Sequence, residues 1–272
     1  MKVVLLAGGF GSRLAEETTV RPKPMVNIGC KPIIEHIMDW YMHFGYNEFI
    51  ICLGYKGSEI TSYFKDYHIN NASITIDYNG KIESLERKSK KWKITLAQTG
   101  IDTQTAGRIK KIKKFINKNE NFFMTYGDGL SNIDINRLNN FHLKNKKIAT
   151  LSAVRPLARF GAVDIKDGIV RRFEEKPIDE SGWINGGFFV LNEKVINYIK
   201  DFNEAWEEGP IKRLVNDNQL SAYKHNGFWQ PMDTLREKKL LTQIWNTGSA
   251  PWKVDDYKNE IINFTGIKKK CI

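Results

Sequence analysis

The run Lys2-Val3-Val4-Leu5-Leu6 passes almost directly into Gly8-Gly9-Phe10-Gly11-Ser12-Arg13-Leu14. A continuous apolar run of this length reads as a strand buried on both faces, and glycine at its end lets the backbone turn sharply. Such a strand needs a sheet with cover on both sides. The rest of the chain supplies it, because apolar runs of strand length alternate with segments of helical period, the pattern of a βαβ sheet. Ile33 to Phe44 carries a helical face in Ile33, Ile34, Ile37, Met38, Trp40 and Tyr41, and Phe49 to Leu53 then reads as a second strand.

By the same periods Gly57 to Tyr67, Ala106 to Ile116 and Ile133 to Leu143 are expected helices. Ser73 to Tyr78, Trp92 to Ala97, Phe122 to Thr125 and Ile148 to Val154 are expected strands, and the charged, aperiodic Gly80 to Lys91 reads as a loop. After residue 155 short strands at Ala162 to Ile165, Ile169 to Phe173 and Gly187 to Leu191 follow one another, which suggests a β-rich insertion. Helical pattern returns at Glu193 to Lys200, Pro210 to Asn216 and Thr234 to Trp245. The expected organisation is therefore one catalytic-sized unit over residues 1–253 and a polar tail over 254–272, closing in Lys268-Lys269-Lys270.

Composition excludes several classes. No 18-residue apolar run exists, so no membrane span is expected. The apolar start is too short for a signal-peptide core, so a cytoplasmic location is expected. Cys30, Cys52 and Cys271 are odd in number and lack C-x-x-C spacing, which indicates neither a disulfide framework nor zinc. The net charge of +11 invites a nucleic-acid reading. No RNP, helix-turn-helix or zinc pattern accompanies it, and the excess is mostly lysine, so it reads as a solvated surface and no nucleic-acid partner is expected.

The glycine loop after the first strand leaves backbone N–H groups open to a ligand, the physical basis of a phosphate cradle. It is neither a dinucleotide fingerprint, since Leu14 stands where a third glycine belongs, nor a Walker A loop, which needs Gly-Lys-Ser/Thr. Arg13 follows the turn instead, and Arg21-Pro22-Lys23-Pro24-Met25 holds Lys23 between two prolines. A rigid lysine beside a glycine cradle suits a point charge aimed at a transferring phosphate. Asp128, in Thr125-Tyr126-Gly127-Asp128-Gly129, ends an apolar strand and should face the same crevice. Asp233 taken alone reads as a helix N-cap; two carboxylates brought to a triphosphate by separate loops would suit Mg²⁺. Glu175 and Lys176 can split the work on a sugar phosphate, or be ordinary strand-end charges.

Together these motifs resemble the sugar-1-phosphate nucleotidylyltransferase family. The resemblance rests on Leu6-Ala7-Gly8-Gly9-Phe10-Gly11-Ser12-Arg13-Leu14, Lys23-Pro24-Met25, Tyr126-Gly127-Asp128-Gly129, Arg159-Phe160-Gly161-Ala162, Glu175-Lys176-Pro177, Ile184-Asn185-Gly186-Gly187-Phe188 and Phe228-Trp229-Gln230-Pro231-Met232-Asp233-Thr234. Tyr-Gly-Asp-Gly and Phe-Trp-Gln-Pro-Met-Asp-Thr point to its cytidylyl branch.

The resemblance implies a Rossmann-like nucleotidyltransferase fold: a mostly parallel central sheet, helices on both faces, and a small β-rich sugar-binding insertion. It implies the reaction of CTP with α-D-glucose 1-phosphate, giving CDP-glucose and pyrophosphate. Leu6, Ala7, Gly8, Gly9, Gly11, Ser12, Arg13, Lys23, Thr103, Arg108 and Gly127 would then meet the nucleotide, with Arg13 and Lys23 catalytic. Gly161, Glu175, Lys176, Asn185 and Gly186 would take the sugar phosphate, and Asp128 and Asp233 would hold Mg²⁺. Such proteins form homo-oligomers, hexamers in the cytidylyl branch. The alternatives are the same reaction with UTP or dTTP, and an idle nucleotide-sugar binding or regulatory protein. Ser12 stands where the family more often has threonine, and Ala106 where it has glycine.

Overall fold

A computed structural model describes residues 1–87, 90–156, 162–166, 169–174 and 182–254. The central sheet contains β1 (Val3–Leu6), β2 (Glu48–Leu53), β3 (Lys93–Gln98), β4 (Asn121–Tyr126), β5 (Ala149–Val154), β6 (Ile184–Asn192) and β7 (Leu220–His225). Their order across the sheet is β7-β5-β6-β4-β1-β2-β3. Neighbours are parallel except at β6, which runs antiparallel to both β4 and β5.

The α-helices longer than one turn among the described residues are α1 (Ile33–His43), α2 (Gly57–Lys65), α3 (Thr105–Lys111), α4 (Ile135–Asn145), α5 (Pro210–Asn216) and α6 (Leu235–Asn246). Successive β1 side chains point to opposite faces, as the strand period demands. Val3 and Leu5 pack in one core with Ile33, Ile37 and Met38 of α1 and Leu241 of α6, whereas Val4 and Leu6 pack in a second with Ala106 and Ile109 of α3 and Leu214 of α5. This is the expected doubly covered α/β arrangement. In α1 the apolar residues at 33, 34, 37, 38 and 41 are buried at helical spacing, each stabilising the fold by about 1.5–3 kcal/mol, and Glu35 and His36 are buried beside them.

The chain leaves β1 for β2 on one side, while β4 lies on the other. The strand order reverses there, so a crevice opens at the carboxyl ends of β1 and β4, where open α/β sheets bind ligands.

Several expectations need correction. Gly80 to Lys91 is not all loop: Ile82–Arg87 is a strand, paired antiparallel with Ala72–Ile76. Its charged residues hide it, because Ile-Glu-Ser-Leu-Glu-Arg lacks the clean apolar/polar alternation by which a strand is read from sequence. Gly187 to Leu191 belongs to β6 of the central sheet, not to the insertion, which keeps the hairpin of Ala162–Lys166 and Ile169–Glu174. An apolar run reads the same whichever way the strand points. The edge strand β7 and the short strands Gly129–Ser131 and Trp229–Pro231 were not expected at all.

Candidate active site

A cleft of about 730 Å³ opens at the carboxyl ends of β1 and β4. Leu6, Ala7, Gly8, Gly9, Gly11, Ser12, Arg13, Lys23, Thr103, Arg108, Gly127, Asp128, Asn185, Gly186 and Asp233 all line it. Gly161, Glu175 and Lys176 lie outside the described residues.

The glycine loop has a definite shape. Gly11 sits at φ +66°, where a Cβ would come within 2.8 Å of Thr18, and it starts the 3₁₀ turn Ser12–Leu14. A Cβ on Gly8 would lie 2.2 Å from Arg108 Nη1. The close approach has a purpose visible in the hydrogen bonds: Arg108 Nη2 donates to the Gly8 carbonyl at 2.9 Å and to Ile101 O at 3.2 Å. Its Nη1 donates to Leu53 O, Thr99 Oγ1 and Gly100 O at 3.1, 2.6 and 2.9 Å. Burial pushes the guanidinium below its ordinary pKa. Arg108 lines the cleft as expected, yet its donors in this structure go to the glycine loop and the 99–101 segment. Thr103 is similar, its hydroxyl donating to Thr99 O at 2.6 Å and accepting from Lys111 at 2.8 Å.

Lys23 opens a 3₁₀ turn entered from Pro22 in an extended conformation. Only 7% exposed, it places its ammonium 2.6 Å from Asp128 Oδ2 and 2.5 Å from Asp233 Oδ1. Burial alone would lower the lysine pKa, but Asp128 and then Asp233 outweigh it and raise the value, so Lys23 is charged. Arg13 pairs with Asp233 Oδ2 at 2.9 Å while its side chain stays 73% exposed.

A small ribbon brings the carboxylates together. Gly129–Ser131 pairs antiparallel with Trp229–Pro231, Gly129 opposite Pro231, and Met232 N donates to Asp128 O at 2.8 Å. Asp233 is not the N-cap. Thr234 caps α6, accepting from Glu237 N, while Glu237 Oε2 accepts from the N–H groups of Asp233 and Thr234 at 2.8 and 2.9 Å. This capping box leaves the Asp233 carboxylate free to face the cleft. Thr-x-x-Glu at 234–237 was visible in the sequence and could have told.

Tyr126 and Glu207 are among the cleft residues that sequence reasoning missed. Tyr126 donates its hydroxyl to Glu207, which comes from the segment after β6. Burial, then the neighbouring carboxylate, holds the phenol well above its ordinary pKa, so it remains a donor. No local pattern marks Glu207, since only tertiary docking places it here.

Asp128 and Asp233 form a pair of hard oxygen donors already sharing one cation. Among the described residues no group of three or more His, Cys, Asp or Glu gathers as a metal cage. A divalent ion bound by two carboxylates must complete its shell from phosphate oxygens and water, which is how Mg²⁺ is held in nucleotide sites. The residues present fit such an ion.

Comparison with known proteins agrees with this geometry. The family model described as nucleotidyl transferase matches residues 2–234. The chain is 47% identical over 254 residues to the glucose-1-phosphate cytidylyltransferase of Salmonella typhimurium, covering 93% of this chain and 99% of that protein. It is 44% identical over 256 residues to the probable glucose-1-phosphate cytidylyltransferase of Bacillus subtilis, covering 93% and 100%. A solved UDP-glucose pyrophosphorylase complexed with UDP-glucose shares the fold at TM-score 0.64 and 16% identity, covering 91% of this chain and 98% of that one. The glycine loop at the switch point and the match across most of the chain have one reading: the chain belongs to the nucleotidyl transferase family.

Proposed function

We propose that this enzyme transfers a cytidylyl group from CTP to α-D-glucose 1-phosphate, releasing pyrophosphate and forming CDP-glucose. The observation that carries the proposal is Lys23 bridging Asp128 and Asp233 beneath the glycine loop. One charged side chain and two carboxylates converge where phosphates would enter, and the named relatives at 44–47% identity support the choice of nucleotide and sugar.

No covalent intermediate is needed. A phosphate oxygen of glucose 1-phosphate attacks the α-phosphorus in line; the bond from that phosphorus to the bridging oxygen breaks, and the electron pair leaves on pyrophosphate. Positioning and charge neutralisation are the demands. The backbone N–H groups of Gly8 to Ser12 would cradle the phosphates, exposed Arg13 would turn toward the leaving pyrophosphate, and Lys23 would move from the carboxylates to the reacting phosphate. Asp128 and Asp233 would hold Mg²⁺, which supplies Lewis-acid neutralisation of phosphate oxygens. The 99–104 segment, braced by Arg108, would read the base through its backbone. Asn185 and Gly186, with Gly161, Glu175 and Lys176, would take the sugar phosphate.

We retain residues 1–253 as one catalytic unit, residues 254–272 as a tail, and a homo-oligomer in the cytoplasm. No helix among the described residues is long and apolar enough to cross a membrane.

The test is pyrophosphate release from glucose 1-phosphate with each of CTP, UTP, dTTP and GTP. CTP should exceed UTP by at least ~10-fold, about 1.4 kcal/mol in the transition state. Equal use of CTP and UTP would overturn the cytidylyl assignment.

A further inference from the structure

We propose that Glu207 accepts hydrogen bonds from a vicinal pair of hydroxyls on one of the two substrate sugars, and so fixes which sugar is accepted. The inference rests on the nucleotidyl-transfer reading above.

Four carboxylates line the cleft among the described residues: Asp102, Asp128, Glu207 and Asp233. Asp128 and Asp233 answer Lys23 and Arg13. Glu207 has different company. Its Oε1 accepts from the Tyr126 hydroxyl, and its Oε2 from the Thr105 hydroxyl at 3.4 Å, with no ion pair to it among the described residues. Each carboxylate oxygen thus takes one neutral O–H, the arrangement that two adjacent sugar hydroxyls would reproduce.

Charge decides which part of a substrate can lie there. Phosphates are repelled by a carboxylate that no cation offsets, so the ligand surface beside Glu207 must be uncharged and rich in donors. Within CTP and a sugar phosphate, hydroxyl pairs meet both conditions on the ribose and on the hexose. Asn185, at the start of β6 and expected on the sugar-phosphate side, lines the same cleft as Tyr126 and Glu207, which favours the hexose.

The carboxylate is held on a braced segment. Trp206, fully buried, donates its backbone N–H to Thr105 Oγ1 at 2.7 Å. Gln104 N and Ala106 N donate to Phe202 O and Glu204 O, both at 3.1 Å, so the 202–206 stretch caps the start of α3. Glu204 is in turn paired with Arg213 at 2.6 Å. A carboxylate on such a support loses little freedom when it binds.

The experiment compares wild type, Glu207→Ala, Glu207→Gln and Tyr126→Phe by steady-state kinetics, varying CTP, 2′-deoxy-CTP, glucose 1-phosphate and its 2-deoxy and 3-deoxy analogues in turn. Glu207→Ala should raise the KM for glucose 1-phosphate roughly 10-fold or more, with kcat and the KM for CTP within about threefold. The wild-type preference for the full hexose over a deoxy analogue should shrink in the same variant, and Glu207→Gln should recover part of it. Tyr126→Phe, which keeps the carboxylate, should retain that preference. If the KM for CTP rises and the preference over 2′-deoxy-CTP collapses, the diol is that of the ribose. Unchanged KM values and preferences in an active enzyme, or a uniform loss of kcat for every substrate, would overturn the proposal and leave the reaction standing. A wild-type chain that turns over no nucleotide would remove both.

Discussion

Lys23 Nζ stands 2.6 Å from Asp128 Oδ2 across 105 residues of sequence, and the same ammonium reaches Asp233 at 2.5 Å. It therefore occupies the ground between the two carboxylates that a divalent ion would need. Lys23→Met should tighten Mn²⁺ binding to the nucleotide-free protein by roughly 10-fold, because the competing charge-assisted bonds are gone. Calorimetric titration with Mn²⁺ alone measures it, and equal or weaker binding would refute the competition. The same variant should lose most of its kcat.

Asp128→Asn and Asp233→Asn should each depress kcat on the order of 100-fold, since each would remove one half of the proposed metal site. Because the two act as a unit, the double variant should be little worse than either single one. EDTA should abolish wild-type turnover, and Mg²⁺ should restore it. A variant that keeps full turnover at ordinary Mg²⁺ takes its residue out of the metal site.

Arg108 makes five hydrogen bonds to the glycine loop and its neighbours, so its truncation orphans buried carbonyls. Arg108→Ala should cost about 3 kcal/mol of stability, and Arg108→Lys should recover only part, because a point donor cannot span the fork. Denaturant melts read the stability. A raised KM for CTP in Arg108→Lys would report loosening of the cradle.

Two buried histidines set an acid limit. Burial pulls His142 down to about 4 and His36 to about 3, with the charge of Lys31 adding to the latter. Their folded values lie below the unfolded value of about 6.5, so the unfolded chain binds protons first as pH falls. The stability they contribute is complete above about pH 6.5 and is lost on the way down to the folded values, at about 1.4 kcal/mol per pH unit for each. Melting temperature should therefore drop between pH 7 and 5. His142→Asn should flatten that slope, and an unchanged slope would show that His142 is not neutral in the fold.

What could be read in advance follows from how local each cause is. The Gly8 to Arg13 loop was legible because its conformations are written in glycine, and Lys23 because prolines flank it. Asp233 was ambiguous since aspartate before a helix has two uses, and only the Thr234 and Glu237 pair separates them. Arg108 was placed at the cleft but not on its partners, which are carbonyls brought from β2 and the 99–101 segment by folding. Glu207 sits in a charged stretch without period, and its meaning arises from docking on Thr105, 102 residues away. Strand β7 was missed because Leu-Ser-Ala-Tyr-Lys-His on a sheet edge is only half-buried and carries a weak pattern.

The reversed strand β6 has a consequence for the history of such enzymes. Val154, the end of β5, lies directly opposite Ile184, the start of β6. Everything between them leaves and re-enters the sheet at adjacent positions on the same rim as the glycine loop. Length and sequence there can change without shifting a single rung of the ladder, so if the sugar-phosphate residues proposed above lie on this stretch, it is an exchangeable cassette on a fixed frame. Diversification of the sugar can then proceed by replacing that cassette, and chimeras cut at Val154 and Ile184 are the natural way to build new pairings of nucleotide and sugar.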